Sequence, residues 1–153
     1  MELYPVLRLV HILGAAVLFG SGSAIAFFML MAWRSGDRAA FALVARHVVL
    51  ADWVFTASAV IAQPLSGLAL AHVAGWSLTA PWLMASVALY LFIGACWLPV
   101  VWIQMRVKQR LAETTGADIP DDVHRLMRVW FALGWPAFAA LIAIVWLMIT
   151  KPG

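Results

Sequence analysis

The sequence of 153 residues contains a single cysteine, Cys96, and few charged residues. One thiol cannot form an intramolecular disulfide, and it does not build the paired-cysteine motif of a zinc or iron–sulfur site. Only 11% of the residues are charged, whereas about a quarter are charged in a typical soluble domain. This scarcity of charge argues against a soluble globular protein.

The net charge of +3 is small, and no basic stripe of the kind that binds nucleic acid is present. We therefore expect no nucleic-acid partner. Hydrophobic residues make up 65% of the chain, and nine residues are tryptophans, whose indole rings favour the two interfaces of a bilayer. The composition predicts an integral membrane protein whose first partner is the lipid bilayer.

Four apolar segments each exceed the roughly 20 residues that a membrane-spanning helix needs. They are Leu9–Trp33, Val48–Val73, Pro81–Met105 and Val129–Thr150. Backbone polar groups in lipid must be satisfied within their own segment, so each segment is predicted to be a helix. We expect the first helix to be retained, because Met1–Pro5 lacks the positive charge of a signal peptide. The sequence thus predicts an all-α, four-transmembrane-helix bundle, with residues 1–153 as a single domain.

Lysine and arginine are concentrated in two of the three connections. The first connection contains Arg34, Arg38 and Arg46, and the third contains five basic residues, whereas the opposite side holds only Arg8 and Lys151. The positive-inside rule places both basic connections in the cytoplasm and both termini on the outer side. We therefore expect a multi-pass protein of the bacterial inner (cytoplasmic) membrane.

His11 is the only ionisable residue in the first apolar segment. A titratable side chain inside a membrane span is costly and is by default a functional-site hypothesis. Gly14 and Ala15 share its helical face, and small residues there allow the close approach of a second helix or a flat cofactor. Arg8, one turn earlier, could bind a carboxylate such as a haem propionate or extend to lipid headgroups. His11 is predicted either to ligate haem iron or to hydrogen-bond a neighbouring helix.

The other three histidines are better explained by the membrane interfaces. His47 follows Arg46 at the start of a helix, and His124 lies among charged residues in a solvated setting. His72 lies about 200° from the polar face of its helix by the angular period. Because it shares the predicted outer side with His11, His72 is a weak candidate for the second haem ligand.

A stripe of small and polar residues along the second segment should face protein rather than lipid. Its members lie within about 60° of Asp52 by the angular period: Asp52, Thr56, Ala59, Gln63, Ser66, Gly67 and Leu70. Pro64 frees a backbone carbonyl, which neighbouring Ser or Thr hydroxyls are expected to satisfy. On the third segment, Tyr90 shares a face with other polar residues. The alternative prediction is therefore a cofactor-free binding or transport module, with a polar intramembrane cavity around Asp52, Gln63 and Tyr90.

Two stretches resemble known membrane proteins. Leu7–Ala15 resembles the opening helix of HemJ-type protoporphyrinogen oxidases and copper-resistance D membrane domains. The tail from Arg128 through Trp135-Pro136 to Lys151-Pro152 is similar to the HemJ-type C-terminus. Over its whole length the sequence looks like an uncharacterised bacterial family of predicted four-helix integral membrane proteins. The core segments that carry this resemblance are Val49–Trp53, Gln63–Gly67 and Ala95–Val100.

The resemblance implies a haem-binding role for His11, with Arg128 among the cofactor-binding residues. It also implies a HemJ-like oxidoreductase activity with quinone or another redox partner. The chain departs from the HemJ pattern at 132–135, where that family carries an asparagine–glutamate pair and this sequence has no ionisable group. The resulting hypothesis is a haem b-binding protein with a redox or electron-transfer role. A homo-oligomer and a structural subunit that packs with partners stay open.

Overall fold

The computed structural model describes residues 3–152 and consists of four long helices joined by short loops. The four helices are α1 (Leu3–Arg34), α2 (Arg38–Val73), α3 (Pro81–Glu113) and α4 (Asp121–Thr150). All four are long and apolar enough to cross a membrane, and residues 3–152 contain no strand. The predicted all-α fold with four membrane-spanning helices is confirmed.

The helices extend beyond the predicted apolar segments, mostly at one end of the bundle. There α2 begins at Arg38 rather than Val48, and α3 ends at Glu113 rather than Met105. Hydropathy identifies the part of a helix that lies in lipid. Arg, Lys, Gln and Glu have high helix propensity, so the helices can extend beyond the lipid into water. We call the end that carries the α1–α2 and α3–α4 loops the basic end, and the opposite end, with residues 3 and 152, the terminal end.

The start of each of the last three helices follows from local sequence. The Asp37 carboxylate accepts a hydrogen bond from the Ala40 amide at 3.0 Å and so caps α2. Pro81 occupies the first turn of α3, where its missing amide hydrogen costs nothing. The N-cap of α4 is Pro120. Asp121 and Asp122 lie in the first turn, where their negative charge is stabilised by the helix dipole.

The main buried core lies at the basic end, and all four helices contribute to it. Its buried members are Ile25, Met29, Ala32, Phe41, Ala45, Val48, Ile103, Val107, Leu111, Ile119, Val123, Met127 and Trp130. A smaller cluster of Ala71, Trp82 and Leu83 lies at the terminal end. Next to it the Lys151 ammonium lies 4.4 Å from the centre of the Trp76 ring, a cation–π contact.

Helix α2 contains one π-helical turn, Asp52–Thr56, near its middle. The turn is closed by a bond from the Ala57 amide to the Asp52 carbonyl, five residues back. Such a turn inserts one extra residue, so the residues that follow are rotated by about 100° relative to a regular helix. The two halves of α2 therefore present different faces to the rest of the bundle.

Candidate functional site

His11 lies half-buried on α1, against the half of α2 that follows the π-helical turn. Its Nδ1 is 3.0 Å from the Ser66 hydroxyl oxygen. That hydroxyl donates to the Ala62 carbonyl at 2.7 Å, so its oxygen is available to accept a hydrogen bond from His11 Nδ1. The other ring nitrogen, Nε2, has no hydrogen-bond partner among residues 3–152. The imidazole is thus held at one nitrogen and open at the other.

Gln63 binds the backbone of α1 beside His11. In the orientation that satisfies both ends of its amide, the oxygen accepts from the Ala15 amide at 2.8 Å and the nitrogen donates to the His11 carbonyl at 3.0 Å. These two backbone groups are the donor and acceptor of one α-helical turn. The amide nitrogen also lies 2.9 Å from His11 Nδ1. Gln63 therefore joins α2 to α1 at the turn that carries the histidine.

Two glycines make this close contact between α1 and α2 feasible. A Cβ on Gly67 would lie 3.1 Å from His11 Cε1, and a Cβ on Gly14 would lie 3.0 Å from the end of the Gln63 side chain. The predicted small-residue face of α1 is therefore occupied by side chains of α2. Gly14 and Ala15 contact Gln63, and the His11 ring lies over Gly67.

The other predicted cofactor residues are distributed along the whole bundle. Arg8 lies exposed one turn before His11, and His72 is exposed near the terminal end of α2. Arg128 follows Met127, which packs in the same core as Met29 at the basic end. Met29 is 18 residues, or about 27 Å, along α1 from His11. The structure brings Arg8 near His11 and places Arg128 towards the opposite end.

Asp52 forms a second polar site, buried between α2 and the hairpin of α3 and α4. The Trp97 indole donates to Asp52 Oδ1 at 3.3 Å. The Gln104 amide, oriented to satisfy both of its ends, donates to Asp52 Oδ2 at 2.7 Å and accepts from the Trp130 indole at 3.3 Å. Asp52 forms no salt bridge with the described residues, so this carboxyl group is held by neutral donors alone.

Asp52 and Gln63 face different helices, although the angular period placed them on one stripe. Asp52 bonds to α3, whereas Gln63 bonds to the backbone of α1. The π-helical turn between them provides the physical reason, because it rotates the second half of the stripe away from the first. Thr56, at the end of that turn, already contacts α1 through a 3.2 Å hydrogen bond with Ser21.

Tyr90 satisfies the carbonyl that Pro64 leaves free. Its hydroxyl donates to the Val60 carbonyl, four residues before the proline. The expectation that a Ser or Thr hydroxyl would do so is wrong, because the nearby Ser66 hydroxyl is bonded to Ala62. Asp52, Gln63 and Tyr90 thus each have a separate set of partners.

Sequence reasoning missed some partners that the fold supplies. Trp130 was not identified as part of the Asp52 network, because helical phase does not reveal which residues of distant helices meet. His124, expected to be solvated, is half-buried, and its Nδ1 accepts a 2.8 Å hydrogen bond from the Trp33 indole. No group of three or more His, Cys, Asp and Glu residues within 3–152 could hold a metal ion.

Residues 5–152 match a family model described as "Predicted integral membrane protein (DUF2269)". No curated protein and no solved structure matches the sequence. The family match covers nearly the whole chain, and it confirms the predicted membership in a family of integral membrane proteins.

Proposed function

We propose that this chain, which belongs to the DUF2269 family of integral membrane proteins, binds haem b and has a redox or electron-transfer role. His11 Nε2 is the proposed axial ligand. The observation that supports this role is the imidazole held at Nδ1 by Ser66 with Nε2 left without a partner among residues 3–152. Histidines that ligate metals usually donate their second ring N–H to a nearby acceptor, which fixes the ring and its tautomer.

Ligation through Nε2 requires the proton to reside on Nδ1. In that tautomer Nδ1–H donates to the Ser66 oxygen, whose own proton is directed to Ala62. The Gln63 amide nitrogen donates to the His11 carbonyl, but it also lies 2.9 Å from Nδ1, where two N–H groups would then face each other. Ligation through Nε2 therefore requires the Gln63 amide to turn away from Nδ1, while Ser66 continues to hold the ring.

The nearby residues divide into those that would touch the cofactor and those that position the ligand. Arg8 is exposed one turn from His11, and its guanidinium is suited to a haem propionate. Gly14 and Ala15 leave room for the Gln63 side chain, which holds α2 against α1. Haem iron, when bound, supplies one-electron chemistry, while the chain supplies ligation and electrostatics.

Visible spectroscopy of the purified protein tests the proposal. In detergent, with and without haem reconstitution, we expect a Soret band that shifts on reduction with dithionite. His11→Ala should abolish the band, whereas His72→Ala, which removes an exposed histidine, should retain it. The absence of a Soret band after reconstitution would overturn haem binding, and a band unchanged in His11→Ala would overturn the assigned ligand.

Ser66 is proposed to position the His11 ring, and the reduction potential of the bound haem reports on that role. Removal of the acceptor at Nδ1 makes the imidazole a weaker donor to iron, so the potential of Ser66→Ala should differ from that of the unmodified protein. Ser58→Ala is the matched control, because this exposed hydroxyl bonds only to carbonyls of its own helix. Equal potentials in all three proteins would reject the positioning role.

A second candidate function is transport of a proton or small solute through the Asp52 site. It is favoured by a buried carboxyl group in a membrane-spanning helix that has only neutral hydrogen-bond donors as partners. Intramembrane acids without a counter-charge commonly belong to ion pathways. Proton uptake into proteoliposomes under an imposed potential would test it. Uptake lost in Asp52→Asn and kept in Asp118→Asn would support transport, and no uptake by the unmodified protein would reject proton transport.

A further inference from the structure

A groove of about 550 Å³ lies between α2 and α3 at the basic end. Its walls are Ala42 and Arg46 of α2 and Lys108, Gln109 and Ala112 of α3. The two alanines leave space between the helices, and the two basic side chains border that space. The groove is far from His11 along the chain, and none of its lining residues belongs to the Asp52 network, so neither site accounts for it.

The two cations of the groove are not neutralised by the protein. Arg46 and Lys108 form no salt bridge with residues 3–152, because the ion pairs there both involve Arg110. The carboxylate of Glu113, one turn beyond Gln109, is held by Arg110 at 3.7 Å and by the Gln109 amide at 2.7 Å. Two uncompensated positive charges beside one concave surface favour an anionic ligand.

The depth of the groove matches the phosphate layer of a bilayer. Arg46 precedes the apolar segment that begins at Val48, and Lys108 follows the one that ends at Met105. One turn from Arg46 towards the membrane centre, Leu50 is 60% exposed, and Met105 is 37% exposed one turn from Lys108. The surface therefore changes from cationic to apolar within one helical turn on both helices.

We propose that this groove binds the headgroup of an anionic phospholipid, with the phosphate between Arg46 and Lys108. Gln109 lies at the border of the groove as a further polar group. The acyl chains would lie along the exposed apolar surface that carries Leu50 and Met105. Free phosphate could use the two cations but not this apolar surface, so the arrangement favours a lipid. The site is independent of haem binding at His11.

Native mass spectrometry of the delipidated protein in neutral detergent can test the site. Phosphatidylglycerol should bind more tightly than phosphatidylcholine. The double variant Arg46→Gln/Lys108→Gln should lose roughly 25-fold in phosphatidylglycerol affinity, because each basic residue near an anionic lipid is worth roughly a factor of five. The matched control Arg34→Gln/Arg125→Gln removes two exposed charges from the same end of the bundle but not from the groove.

A variant that fills the groove without removing charge provides an independent check. Ala112 is exposed, so Ala112→Phe should leave the fold intact while it occupies the space between the helices. Its phosphatidylglycerol affinity should fall as in the double charge variant. Four results would each overturn the proposal. They are an equal loss of affinity in the control pair, equal binding of the two lipids, full affinity in Ala112→Phe, and displacement of the lipid by millimolar inorganic phosphate.

Discussion

Tyr90 on α3 donates its phenol hydrogen to the carbonyl of Val60 on α2. In a regular helix that carbonyl would bond to the amide of residue 64, but residue 64 is a proline and has no amide hydrogen. In lipid no water can satisfy the freed carbonyl. This contact therefore adds to those that join α2 to α3, and it satisfies the carbonyl that a proline inside a membrane-spanning helix leaves free.

Tyr90→Phe should lower the free energy of unfolding by about 1–3 kcal/mol, because it leaves the Val60 carbonyl without a donor. Pro64→Ala should reduce that loss, since alanine restores a backbone amide that can bond to the same carbonyl. Unfolding in mixed detergent micelles, measured for both single variants and the double variant, gives the coupling between the two positions. A loss from Tyr90→Phe that is the same with Pro64 and with alanine would contradict this assignment.

Gly67→Ala should weaken the contact between α1 and α2, because its Cβ would lie 3.1 Å from His11 Cε1. The ring would have to move by a few tenths of an ångström to relieve that contact. Gly94→Ala is the control, because a Cβ there meets nothing within 4 Å and alanine is the better helix former. In thermal unfolding we expect a lower transition temperature for Gly67→Ala and an equal or higher one for Gly94→Ala. The reverse order would exclude close packing at Gly67.

Asp52→Leu should destabilise the bundle more than Asp52→Asn. Leucine leaves the Trp97 indole and the Gln104 amide without their acceptor, and each unmatched buried donor costs about 1–3 kcal/mol. Asparagine keeps an acceptor for Trp97, and Gln104 can rotate its amide to meet the new donor, at the cost of its bond from Trp130. Chemical unfolding of both variants, followed by circular dichroism, checks the order. If both variants were equally stable, the hydrogen bonds to Asp52 would contribute nothing to the fold.

Sequence patterns predicted which residues face the interior of the bundle better than they predicted which residues contact one another there. Hydropathy identified four membrane helices, since lipid imposes the same requirement on every residue of a span. Helical phase correctly placed Asp52 and Gln63 against protein. It assigned them to one face because a single period was assumed, and the π-helical turn at Asp52–Thr56 breaks that period. No local sequence pattern indicates this turn or the contact between Trp130 and Gln104, since both depend on how separate helices pack.

The positive-inside rule predicts that both termini lie on the outer side, and single cysteines in the loops can test this orientation. Ser35, between α1 and α2, and Ser77, between α2 and α3, are both exposed. In intact cells a membrane-impermeant maleimide should label Ser77→Cys and should label Ser35→Cys only after permeabilisation. The native Cys96 is buried within α3, so the unmodified protein provides a low background. Labelling of Ser35→Cys but not Ser77→Cys in intact cells would show the opposite orientation, with the basic end of the bundle outside.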